Sequence, residues 1–149
     1  MPDEETIERA HEDESEGKSP STQAGEFVRE EIEHIREGEH GARSPQQAIA
    51  IGLSKARRAG VKVPPPKRGK ASARTRKQAK RDGKRGGARR KKPSRTRSRA
   101  TKRALKREKR SAASRKALSR QARSAARRRS ARSRSAAAKK AARTRKRRR

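Results

Sequence analysis

The chain has 149 residues, enough for one ordinary domain, but only 26% are apolar and Phe27 is the single aromatic. So little to bury cannot offset the entropy of ordering a backbone of this length throughout. Of 49 lysines and arginines, 40 follow Pro66 and face only Asp82 and Glu108, so the last 83 residues carry +38 and the first 66, with nine basic and 14 acidic residues, carry −5.

Residues 1–17 form an acidic segment in which a helix near 3–16 is expected, with Asp3, Glu4 and Glu5 suiting its N-terminal dipole. Its start, MPDEETIERA, lacks an apolar core, so it is not read as a secretory leader. Residues 18–66 are read as a small helical domain. A helix over 21–37 follows from Ala24, Phe27, Val28, Ile32 and Ile35, which share one stripe at 100° per residue. Ser19-Pro20 starts it and Gly38 stops it. A third helix over 45–59 has Ser44 as N-cap, Pro45 at its first position and Gln47 to complete a capping box. Ala48, Ile49, Gly52, Leu53, Ala56 and Ala59 share its apolar face, and Gly60 ends it. Val61 to Pro66 then reads as an extended spacer. Residues 67–93 are a basic linker whose Gly69, Gly83, Gly86, Gly87 and Pro93 argue against any helix. Residues 94–149 are an Ala/Arg/Lys/Ser-rich tail without Gly or Pro. Alanine and arginine favour helix, whereas like charges at i,i+4 oppose it. The expected fold is therefore mostly disordered with a small all-α head, and a tail that is coil or conditional helix over about 94–145, ordering on a polyanion.

Arg43-Ser44-Pro45 followed by QAIAIGLSKARRAG at 47–60 resembles a bacterial domain family of unknown function. Its members share a QAIAIxLSxARxAG core and often end in Lys/Arg-rich extensions. The upstream STQAGEFVREEIEHIREGEHGARS also looks like one branch of it. The resemblance covers residues 18–66 and implies a small helical domain and bacterial origin, with no activity attached. The tail is similar in composition to those of linker-histone-like and bacterial nucleoid proteins, but favours arginine and serine.

The chemistry of the tail suits phosphates, because cations that neutralise them release condensed counterions. The candidate nucleic-acid-binding residues are Arg89, Arg90, Lys91, Lys92, Arg95, Arg97, Arg99, Lys102, Arg103, Arg127, Arg128, Arg129, Lys139, Lys140, Arg145, Lys146, Arg147, Arg148 and Arg149. With no aromatic residue in the tail, base stacking on single strands is not expected. Duplex DNA is the favoured partner and structured RNA or a ribosome the alternative. The arginine-serine runs at 94–99 and 129–135 are read as soluble spacers, not modification sites. Base readout would need Lys55, Arg57 and Arg58 to be presented by the third helix. Glu26, Glu30, Glu33 and Glu37 line an acidic ridge, either a solvated face or an intramolecular partner for the basic tail.

No phosphate-loop glycine pattern or nucleophile–base set is present, so no enzyme is expected. Of His11, His34 and His40, His34 and His40 lack a helical i,i+4 pairing, and no metal or cofactor is expected. With no cysteine, disulfides and thiol chemistry are excluded. No stretch approaches the ~20 apolar residues of a membrane span. The chain reads as a histone-like or nucleoid-associated, cytoplasmic nucleic-acid binder, or else as an adaptor whose head binds a protein while the tail tethers it.

Overall fold

A computed structural model describes residues 2–84, 86 and 94–147. Among them are seven α-helices: α1 Glu4–Ser15, α2 Pro20–Glu37, α3 Pro45–Ala59, α4 Ala73–Lys84, α5 Arg95–Arg107, α6 Arg115–Arg127 and α7 Ala131–Arg147, with a 3-10 turn at Arg110–Ala113. The three head helices match expectation to within a residue or so at each end. The expectation of a mostly disordered chain does not hold, since 75% of the described residues are helical. Two physical terms favour order. Alanine and arginine are strong helix formers, and much of the core is built from small side chains.

Two compact units divide the chain at Ser114/Arg115. In the first, α2 and α3 make the main interface, α1 packs on α2, α4 on α3, and the 3-10 turn on both α2 and α3. Phe27, Ala24, Ala56 and Ala10 form one buried cluster, lined by Ile7, Leu53, Ala59, Val61 and Val63. Ile35, Ala42, Ala48, Ala112 and Ala113 form another, with Ile32 against it. Burying Phe27 and Ile35 contributes roughly 1.5–3 kcal/mol each. The interface is close because of Gly52, where a Cβ would stand 2.7 Å from the Val28 Cα and 2.9 Å from the Phe27 carbonyl oxygen. Ser44 Oγ caps α3 as read, accepting from the Gln47 N–H at 3.2 Å, but Gln47 Oε1 reaches back to the Arg43 N–H at 2.8 Å and not to the Ser44 N–H that a capping box would use.

Packing does not respect the charge boundary at Pro66. Residues 67–93 were not expected to hold a helix, yet α4 occupies 73–84, with glycine only at its penultimate position. It is anchored by buried Ala79 and Asp82. The end of α5 and the 3-10 turn dock on the α2–α3 connection. The Gly41 N–H donates to the Leu105 carbonyl at 2.9 Å, the Ala42 N–H to the Lys109 carbonyl at 3.2 Å, and Arg36 Nε to the Ala113 carbonyl at 3.0 Å. A Cβ at Gly41 would lie 1.9 Å from the Glu108 carbonyl oxygen, so the approach demands glycine. The second unit, Arg115–Arg149, consists of α6 and α7 as far as it is described.

Candidate nucleic-acid interface

The tail helices arrange their cations in rows. On α6, Lys116, Arg120, Arg123 and Arg127 recur at intervals of four, three and four. On a helix that spacing confines them to an arc of about 60°. Arg95, Arg99, Lys102 and Lys106 repeat the spacing on α5, and Arg132, Lys139, Arg143 and Lys146 fall on one face of α7. Each of these side chains is exposed. A row of this kind spans about 16 Å, over which one DNA strand carries about five phosphates. On α6 the opposite side presents Leu118, Ala122 and Ala125. Arg120, Arg123, Ser124, Arg127 and Arg128 line a basin of ≈ 440 Å³.

These helices also have the wrong charges for their own dipoles. No acidic residue occupies the first turn of α5, α6 or α7, where the positive end of the helix favours an anion. Instead Arg95 and Arg97, Arg115 and Lys116, and Arg132 and Arg134 stand there. Phosphate would relieve both the dipole and the like-charge rows.

Of the residues singled out in the sequence, Arg95, Arg97, Arg99, Lys102 and Arg103 lie exposed on α5. Arg127 is on α6 with Arg128 and Arg129 just after it, and Lys139, Lys140, Arg145 and Lys146 are on α7, all exposed. Arg89, Arg90, Lys91, Lys92, Arg148 and Arg149, with the side chain of Arg147, lie outside the described residues. Sequence reasoning passed over Lys106, Lys116, Arg120 and Arg123. Their signal was the 4-3-4 spacing, hidden because nearly every window of the tail is basic.

The tail's two acids are engaged elsewhere. Asp82 is buried, accepts from Gln78 Nε2 at 2.9 Å and lies 3.8 Å from Arg58. Glu108 lies 3.5 Å from Arg43. Arg115–Arg149 contains seventeen arginines and lysines and no carboxylate side chain.

The head, by contrast, neutralises itself. The four ridge glutamates do not form one solvated face. Glu26 lies 3.0 Å from Arg9, which also pairs with Glu5, and Glu33 pairs with Arg29 at 3.2 Å. Glu30 is only 3% exposed because α3 brings Lys55 Nζ to 2.7 Å from it. Glu37 alone of the four is exposed. Lys55 Nζ also lies 2.9 Å from Glu31 Oε2. Burial pushes the Lys55 ammonium down, but its contacts with Glu30 and Glu31 outweigh that and leave its pKa raised.

Helix α3 is not a reading head. Lys55 is held by these carboxylates, and Arg57 is 5% exposed. Its guanidinium donates to the Val63, Pro64 and Leu53 carbonyls at 3.3, 3.2 and 3.4 Å, which ties the Val61–Pro66 spacer back onto the helix. Burial lowers the Arg57 pKa, and nearby Asp82 partly restores it. Only Arg58 of the three stays exposed. The histidines also differ from expectation, since the fold brings His34 and His40 together with Glu31.

Residues 17–68 match a family of unknown function (DUF6496). The match spans α2, α3 and the spacer and supports a small domain there, without an activity. Comparison with curated proteins and with solved structures finds no match. Among the described residues, no helix is long and apolar enough to cross a membrane.

Proposed function

We propose that the protein is a non-sequence-specific nucleic-acid binder of histone-like, nucleoid-associated type that grips the phosphate backbone of duplex DNA. The observation that carries this is the row Lys116, Arg120, Arg123 and Arg127, exposed on a helix in a segment without a carboxylate side chain. Rows of cations on a rigid rod, with no aromatic side chain between them, meet backbone charge and not bases. The head contributes a self-neutralised platform that carries the tail, and the cytoplasmic nucleoid is the proposed location.

The test is a salt titration of duplex binding by the full chain, by a chain ending at Ser114, and by a full chain with Lys116, Arg120, Arg123 and Arg127 all changed to glutamine. If ten cations engage, the log–log slope for the full chain is about −9. The fourfold variant lowers its magnitude by about 3 to 4, at roughly 0.9 per phosphate contact. Truncation at Ser114 removes most of the affinity. Equal binding by all three proteins refutes the reading. Structured RNA bound far more tightly than duplex at matched salt moves the conclusion to the RNA alternative.

A further inference from the structure

We infer that Glu31, His34 and His40 form a binding site for a divalent transition metal of the zinc class. The three side chains come from the last two turns of α2 and the turn beyond it, and one ligand atom of each lies within 4.8 Å of the others. Glu31 and His34 are three apart on α2, a spacing that points both along one helix face.

Two observations turn this proximity into a site. The first is that each imidazole is oriented by a partner outside the cluster. His40 Nδ1 is 3.2 Å from the Gly41 carbonyl, which can only accept, so Nδ1 carries the hydrogen and Nε2 keeps its lone pair. That Nε2 faces Glu31 Oε1 at 3.4 Å. His34 Nε2 is 3.2 Å from Asp3 Oδ2, which leaves Nδ1 as the ring nitrogen with a lone pair. Nδ1 in turn faces Glu30 Oε1 at 3.9 Å and Glu39 Oε2 at 3.8 Å. Lone pairs directed at carboxylate oxygens repel unless a proton or a metal cation stands between them, and the metal is the reading proposed. A carboxylate or carbonyl holding the far nitrogen is also the usual support for a metal-bound histidine.

The second observation is Glu31 itself. It is 0% exposed; its Oε2 rests 2.9 Å from Lys55 Nζ, and its Oε1 receives no hydrogen bond. Lys55 is shared between Glu30 and Glu31, so one ammonium faces two buried carboxylates. The pair keeps one negative charge uncompensated, and Glu31 Oε1, the oxygen away from Lys55, is the one aimed at His40.

Zinc fits the donor set. Two imidazole nitrogens and one carboxylate oxygen are ligands it takes at about 2.0–2.2 Å, which sets tetrahedral ligand–ligand separations near 3.4 Å. The His40–Glu31 separation is already 3.4 Å. Bringing His34 into the same shell needs side-chain movement of about an ångström. Exposed Glu39 or water completes the coordination. Calcium and magnesium are disfavoured because they prefer all-oxygen shells.

The test titrates metal-free full-length protein with Zn²⁺ and with Co²⁺ as a visible-spectrum probe, and follows imidazole nitrogens by NMR. His11, exposed on α1, is the internal control. One equivalent should bind, with signals of His34 and His40 moving and His11 unchanged. His40→Gln, a half-buried turn position that should leave the fold intact by circular dichroism, should weaken binding at least tenfold, as should His34→Gln. The proposal is overturned if Zn²⁺ binds His40→Gln as tightly as the parent, if all three histidines respond equally, or if His34 and His40 are doubly protonated near neutral pH and take up no metal.

Discussion

In the head, acids find their cations within a few ångströms: Glu26 with Arg9, Glu33 with Arg29, Glu30 and Glu31 with Lys55, Asp13 with Lys18. Arg115–Arg149 holds seventeen arginines and lysines and no aspartate or glutamate of its own. The two regions are both helical, so helicity does not separate them. What separates them is where the neutralising charge comes from. The head supplies its own, and the sequence of Arg115–Arg149 supplies none.

The comparison breaks most sharply at Lys55. Lys55→Met leaves Glu30 and Glu31 buried without their ammonium, and loss of one partner of a buried pair costs about 3–5 kcal/mol. Urea unfolding of metal-free protein should show this in the head. Because the folded-state pKa of Lys55 is raised above 10.5, its contribution is whole below that value and is lost as pH rises beyond it. The stabilisation that the parent draws from the charged Lys55 should therefore persist through neutral pH and fade only in strong alkali. Replacing Glu30, Glu31 and Lys55 together with apolar residues should cost far less than Lys55→Met alone.

A smaller effect tests where the head ends. The contact of Gly41 with the Glu108 carbonyl welds part of the basic region onto the acidic one. Gly41→Ala should push the Leu105–Ala113 segment off at a cost of about 1–3 kcal/mol, typical of overpacking. Hydrogen exchange should then quicken at Ala42, whose N–H is held by Lys109. Unchanged protection there would show that this docking is not needed for the head.

Much of the head was legible because its signals are periodic and local. The apolar stripe of α2, the Ser44-Pro45 start and the glycine stops are all readable at a spacing of a few residues. Glu31 was readable too and was missed: it lies four residues from both Phe27 and Ile35, on the apolar stripe, where a carboxylate must be buried. Glu30 was not readable, since its burial depends on Lys55 reaching across from α3. Nor was the role of Ala112 and Ala113, which look like every other alanine in the tail until Gly41 and Ala42 accept the segment. The metal-site geometry needed the turn after α2, which brings His40 back to a helix it has already left.

The finest test sets one chemical device in both regions. Ser44 Oγ caps α3 by accepting from the Gln47 N–H at 3.2 Å, and Ser130 Oγ does the same for the Ser133 N–H at 3.2 Å ahead of α7. Loss of such a cap costs about 1 kcal/mol of helix stability. Helix α3 is packed into the core, so Ser44→Ala should lower the stability of the whole head by about that amount and shift its melting point. Helix α7 has no buried residue among those described, so Ser130→Ala should reduce its helicity and leave the melting of the head unchanged. On the proposed function, duplex DNA should restore that helicity, because phosphates would quench the repulsion along Arg132, Lys139, Arg143 and Lys146. If Ser130→Ala lowers the melting point of the head as much as Ser44→Ala does, the tail is part of the folded core, and the distinction between a self-neutralised head and a polyanion-dependent tail fails.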